Sequence, residues 1–149
     1  MEKIIEKRTK RDIKKLTDLN CNVKIIKKNI LTFLLDGPKD SLYEHGKWEI
    51  RVEIPKDYPF KSPSVGFVNE IFHPNVDFKS GTICLDVLNQ EWAPVYSLSN
   101  IYTTFLPQLL MYPNPDDPLN IKAADLMKKD YDKFKIIVGT YIEKYSIRL

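Results

Sequence analysis

An α+β fold is predicted by three observations: helical spacing at the start of the chain, β-prone runs with strict alternation through its middle, and helical spacing again towards its end. Residues 2–19 are good helix formers, and Ile5, Thr9, Asp12, Ile13, Leu16 and Leu19 recur on one narrow face opposite a lysine-rich one. Residues 22–28 and 30–36 are β-prone runs flanking Lys28-Asn29, and Asp36-Gly37-Pro38 then turns the chain, which predicts two antiparallel strands. After a polar loop ending at Gly46, Trp48, Ile50, Val52 and Ile54 alternate with Glu49, Arg51 and Glu53, the pattern of a half-buried strand. Prolines at 55, 59 and 63 stop the pairing, and residues 64–68 form a short fourth strand, completing a four-stranded antiparallel meander.

From residue 69 to 97 no period is sustained, and Pro74, Gly81 and Pro94 interrupt the run, so a long ordered coil is expected. Loops of that length usually carry function. Ser97 or Ser99 then caps a helix reaching about Met111, in which Pro107 must remove one backbone hydrogen bond and favours a kink. The segment Y-P-N-P-D-D-P breaks that helix. Residues 120–128 read as a short helix and 131–147 as a longer one, with Phe134, Ile137, Val138, Tyr141 and Tyr145 on its apolar face. About three helices therefore follow the coil.

The 149 residues, 43% hydrophobic and 11% aromatic, fit a single domain spanning 1–149 with a substantial core. The first residues, M-E-K-I-I-E-K-R-T-K, carry charges where a secretory signal needs an apolar run, and no window approaches a membrane span. A soluble protein of the cytoplasm or nucleus, without a membrane partner, is expected. Two cysteines are too few for a disulfide framework, and with two histidines their spacing matches no zinc pattern. Residues 1–28 hold ten Lys or Arg against four Asp or Glu, making this the basic end of a chain of net charge +3. The stretch lacks the stacking aromatics and glycine-rich loops of nucleic-acid binders, so the expectation is a solvated face or an acidic protein partner.

The chemistry is expected in residues 72–92, F-H-P-N-V-D-F-K-S-G-T-I-C-L-D-V-L-N-Q-E-W. Cys84 follows a Ser-Gly turn and lies nine positions beyond Asn75. A lone cysteine between Ile83 and Leu85 reads on its own as a small core hydrophobe. A partly exposed thiol, in contrast, is a good nucleophile, and an amide can hold a developing oxyanion without taking its proton.

The surroundings decide between these readings. His73-Pro74-Asn75, then Gly81-Thr82-Ile83-Cys84-Leu85-Asp86, then Trp92-Ala93-Pro94, resembles the active-site signature of ubiquitin-conjugating enzymes, the E2 family. Tyr58-Pro59-Phe60-Lys61-Ser62-Pro63 and Tyr112-Pro113-Asn114-Pro115-Asp116-Asp117-Pro118-Leu119 extend the resemblance over nearly the whole chain. It implies the fold of that family and a Cys84 that accepts the carboxyl terminus of ubiquitin from an activating enzyme (E1) as a thioester, then passes it to a lysine. Neither a metal nor a covalent cofactor is implied, and ATP is used upstream by the E1.

The resemblance also implies roles for neighbours. Asn75 either stabilises the oxyanion formed as the lysine attacks or holds the active-site loop in shape, and Asp117 assists the lysine by desolvation, orientation or proton acceptance. Without the resemblance, Asp117 before Pro118 reads as turn chemistry. His73 takes a structural place in its loop, whereas a cysteine hydrolase would need it as a base. Asp86 and Asn114 line the lysine's approach. Phe60 and Pro63 on one loop, with Trp92, Pro94 and Val95 on another, match the family's contact with RING-type ligases. Lys3, Lys7 and Arg8 are placed to engage the E1 and the ligase.

Within the family, S-V-G-F-V-N-E-I-F-H-P-N-V, L-D-V-L-N-Q-E-W and F-L-P-Q-L-L-M-Y-P-N-P-D-D-P-L-N resemble the branch that works with the multisubunit CTLH (GID) ligase. That branch usually carries a long acidic carboxyl-terminal tail, while Pro94 follows the broader family pattern. The alternative to an enzyme is a non-catalytic E2-like module that binds ubiquitin or ligase, and the presence of Cys84 argues against it.

Overall fold

The computed structural model describes residues 2–84 and 91–149. Helix α1 (Glu2–Thr17) opens the chain, with Glu2 in its first turn and Lys14 and Lys15 in its last, each opposing the helix-end charge it sits beside. It stops short of Leu19 because Asn20 adopts a positive φ of 58°, a left-handed geometry that asparagine tolerates. Leu19 consequently falls off the apolar face and is exposed, whereas Leu16 and Asp12 are buried.

Strands β1 (Lys24–Lys27), β2 (Ile30–Asp36), β3 (Lys47–Glu53) and β4 (Ser64–Phe67) form an antiparallel sheet in the order β1-β2-β3-β4, the predicted meander. Registers Leu35↔Trp48, Phe33↔Ile50↔Phe67 and Leu31↔Val52↔Val65 put all eight side chains on one buried face. Because strand periodicity is two, the alternation read from the sequence fixes which face meets the core. β1 is shorter than the β-prone run, since Asn22 has a φ of 56° and does not continue an extended strand.

A continuous helix α2 comprises the segments Leu98–Asn100, Ile101–Phe105 and Leu106–Met111. Ser97 precedes it and donates its N–H to Asn100 Oδ1 at 2.9 Å. The middle segment is π-helical, and the Leu106 N–H reaches Ile101 O, five residues back. This is how Pro107 is accommodated: a regular helix would drive its ring into the carbonyl four residues earlier, and widening the preceding turn relieves that clash. Helices α3 (Ile121–Lys129) and α4 (Tyr131–Tyr145) follow. Their caps are Asn120, accepting from the Ala123 N–H, and Asp130, accepting from the Lys133 N–H. Ile101, Leu106, Leu110, Phe134 and Val138 complete the core. Past α4, the Ile147 N–H donates to Lys47 O at 2.9 Å, pinning the chain end to the start of β3.

Gly139 sits inside α4, and a Cβ built there meets nothing within 4 Å. Glycine weakens a helix interior by about 0.5–1 kcal/mol relative to alanine. Gly139→Ala is therefore expected to stabilise the protein by that amount, read as a rise in Tm of a few degrees; an unchanged or lower Tm would show that the backbone at 139 needs its freedom.

Candidate active site

The site is built on a hairpin. Val76 pairs with Ile83, the Asp77 N–H donates to Thr82 O at 2.9 Å, and the Gly81 N–H closes the turn onto Asp77 O at 2.9 Å. Continuing the antiparallel register by one residue sets Asn75 across from Cys84. The returning arm docks on β4: the Phe67 N–H donates to Gly81 O and the Ile83 N–H to Val65 O. Gly81 has a φ of 74°, and a Cβ there would lie 2.1 Å from Phe67 O, so this position admits glycine alone.

His73 anchors the other arm. It is fully buried, its Nδ1 accepts the Asn75 N–H at 3.0 Å, and its Nε2 lies 2.8 Å from Leu109 O. A ring nitrogen that accepts cannot carry the proton, so the hydrogen is on Nε2 and donates to Leu109. Burial lowers its pKa to about 4, with the Leu109 carbonyl pulling weakly the other way. The ring is thus neutral at physiological pH with both nitrogens engaged, so His73 is not free to act as the base a hydrolase would need.

The lowered His73 pKa has a stability consequence. A group whose folded pKa lies below its unfolded value of about 6.5 contributes stability that is present above 6.5 and lost as pH falls towards 4, because the unfolded chain takes up the proton first. Unfolding free energy should drop by roughly 3 kcal/mol from this group between pH 7.5 and pH 4. A ring that titrates near 6.5 by NMR in the native protein would contradict the arrangement.

Asn75 clamps the loop that carries Asp117. Its Nδ2 donates to Asn114 O at 2.8 Å and Asp117 O at 3.2 Å, and its Oδ1 accepts the Asn114 N–H at 2.8 Å. Pro74 O accepts from both the Leu119 and Asn120 N–H groups, closing the same loop from below. Both amide hydrogens of Asn75 are therefore on backbone carbonyls. Asn114 acts here through its backbone, while its Oδ1 accepts the Asp116 N–H at 2.9 Å. Asp116 pairs with Lys128 at 3.0 Å; Asp117 is exposed and has no ion-pair partner among the described residues.

Cys84 is half-buried and opens on a groove of about 390 Å³ lined by Ser64, Val65, Asp77, Thr82, Ile83 and Leu119. Cys21, in contrast, is 4% exposed beneath α1, and burial pushes its thiol pKa up. Asp86 lies outside the described residues. Among those described, no cluster of three or more His, Cys, Asp or Glu could hold a metal, and no helix is long and apolar enough to cross a membrane.

The residues read as partner contacts divide. Phe60, 61% exposed, and Pro94 share a groove of about 440 Å³ with Ile4, Ile5, Lys7, Arg8 and Arg11, and Val95 beside them is 83% exposed. Lys3 is exposed on the same helix. Pro63 is buried, and Trp92 is half-buried with its indole N–H on Pro59 O at 2.7 Å and its ring against Tyr58, Tyr96 and Phe105. These two brace the loops instead of presenting them. Arg8 is also largely committed inward, to Asp12 at 2.6 Å and to Tyr96 O.

Two supports escape a sequence reading. Tyr43 donates its hydroxyl to Phe72 O at 2.6 Å and packs on the His73 ring. Asp12, buried under α1, accepts from the Tyr58 hydroxyl and from Arg8. The second carried a signal, an acidic residue on an otherwise apolar helix face; the first carried none. Asp77, which accepts the Ser80 N–H, escapes that reading too, although an Asp shortly ahead of Ser-Gly is turn chemistry.

The model of the ubiquitin-conjugating enzyme family matches residues 5–142. Ubiquitin-conjugating enzyme E2 5 of Arabidopsis thaliana is 52% identical over 142 residues, covering 94% of this chain and 77% of that one. Ubiquitin-conjugating enzyme E2-24 kDa of Saccharomyces cerevisiae is 45% identical over 145 residues, 96% of this chain and 66% of that one. Among solved structures, the E2 domain of a Toxoplasma gondii ubiquitin-conjugating enzyme superposes with a TM-score of 0.82 at 28% identity, over 93% of this chain and 98% of that one. The hairpin, its clamp and these likenesses agree: the chain belongs to the ubiquitin-conjugating enzymes, transferases that work through a cysteine thioester.

Proposed function

We propose that Cys84 is the thiol that carries ubiquitin, with Asn75 and Asp117 as its assisting residues. The observation that supports this most is the hairpin paired at Val76 and Ile83, with a half-exposed cysteine following one arm and, preceding the other, an asparagine whose amide holds the loop bearing Asp117, which has no ion-pair partner among the described residues. In the transfer step the neutral lysine nitrogen attacks the thioester carbonyl, a C–N bond forms, the C–S bond breaks and Cys84 departs as thiolate. The lysine's surplus proton goes to Asp117 or to solvent. Thioester exchange needs no strong base, since a free thiol with a pKa of about 8.5 is readily ionised. Because His73 is unavailable to activate water, the thioester waits for an amine.

The apolar and basic groove at Ile4, Lys7, Phe60 and Pro94 is the proposed docking place for a RING-type ligase, with Val95 as a second anchor. The three segments that resemble the CTLH/GID-associated branch support a ligase of that kind as the partner. Lys3 and Lys7 on the basic face of α1 suit an acidic surface of the E1.

The test mixes the protein with E1, magnesium-ATP and ubiquitin. A covalent adduct removed by reductant is expected, and CTLH-type ligase should accelerate its discharge onto lysine. A folded protein that forms no adduct would overturn the assignment of Cys84.

A further inference from the structure

The groove into which Cys84 opens has a charged wall that thioester chemistry does not use. Besides Cys84 it is lined by the apolar Val65, Ile83 and Leu119, by Ser64 and Thr82, and by Asp77. Its volume of about 390 Å³ suits a short extended segment and not a folded domain. The Asp77 carboxylate is fixed: Oδ2 accepts the Ser80 N–H at 2.9 Å and the Ser80 hydroxyl at 2.7 Å, and that hydroxyl also meets Thr82 Oγ1 at 2.7 Å. The Ser80 hydroxyl, first among its contacts, holds the carboxyl below its usual range, so it is ionised wherever the enzyme works. Lys79, on the same turn, adds a small effect of the same sign but makes no ion pair with it.

Resting on Cys84 as the nucleophile, we infer that this groove receives the polypeptide flanking the acceptor lysine, and that Asp77 selects substrates with a basic residue beside that lysine. The groove is continuous with the thiol, so whatever occupies it is adjacent to the thioester. Its only ionised side chain among the lining residues is negative. A Lys or Arg there gains an ion pair, while an acidic residue meets like charge.

The experiment starts from the ubiquitin thioester, verified as a reductant-sensitive band, and chases it with lysine peptides carrying Arg, Ala or Glu at each position flanking the lysine. At one or more positions the Arg peptide should react about three- to five-fold faster than the Glu peptide, the range an exposed ion pair supports. Raising the salt should shrink that ratio. Asp77→Asn keeps an acceptor oxygen for the Ser80 N–H but removes the charge, and its Arg-to-Glu ratio should approach one. Comparing ratios within each protein makes the reading independent of any change in overall rate. Uniform rates from a formed thioester, a salt-insensitive ratio, or a preference that survives Asp77→Asn would each overturn the inference, while absence of the band from the wild type would remove the Cys84 assignment as well.

Discussion

Cys84→Ser is expected to convert the reductant-sensitive ubiquitin adduct into one that survives reductant, and Cys84→Ala to abolish the adduct. Serine places an oxygen where the sulfur was; acylated, it forms an oxyester, and an alkoxide is a much poorer leaving group than a thiolate. Lysine discharge from the serine variant should therefore fall below detection, in line with losses of up to about 10⁶ when a covalent catalyst loses its nucleophile. The only other cysteine, Cys21, cannot substitute: it is 4% exposed, its thiol lies 3.6 Å from Leu16 O, and burial disfavours its thiolate. Gel analysis with and without reductant checks both variants. A residual reducible adduct on Cys84→Ala would show that another thiol takes part.

Asn75→Ala should separate the two halves of the reaction. It removes three hydrogen bonds that tie residues 114 and 117 to the hairpin, yet the bonds are exposed and each is worth only about 0.5–1.5 kcal/mol, so the fold should survive. Released from the clamp, the loop no longer fixes Asp117 relative to the thioester. Misplacement of about 1 Å at a reacting centre can cost 10²-fold. Lysine discharge is expected to slow by about 10²-fold or more while charging by E1 changes less than about 10-fold, measured in single-turnover assays of each step. Equal losses in both steps would mark Asn75 as a residue that merely supports the fold.

The sheet was legible in the sequence because strand periodicity leaves a direct trace: Trp48, Ile50 and Val52 alternate with charged residues, and their partners on β2 and β4 complete one buried face. The helix around Pro107 was legible only in outline. Sequence announces that proline strains a helix, but whether a kink or a π-turn answers the strain depends on what packs around Ile101 and Leu106, both buried here. At the site, the linear signature locates Cys84, His73 and Asn75 because a hairpin keeps them near in sequence. Pro63, Trp92 and Arg8 look like surface anchors in one dimension, yet the fold turns them inward. Aromatic, proline and arginine side chains serve interfaces and internal braces equally well, and only burial tells which. The link from Asn75 to Asn114 and Asp117 spans 39 and 42 residues, a distance at which no periodicity speaks.

The most direct measurement is tandem mass spectrometry of the unreduced ubiquitin adduct, mapping the bond to a residue. The account predicts a thioester between the carboxyl terminus of ubiquitin and the sulfur of Cys84. A bond to Cys21, or an isopeptide to a lysine with Cys84 free throughout charging, would contradict it.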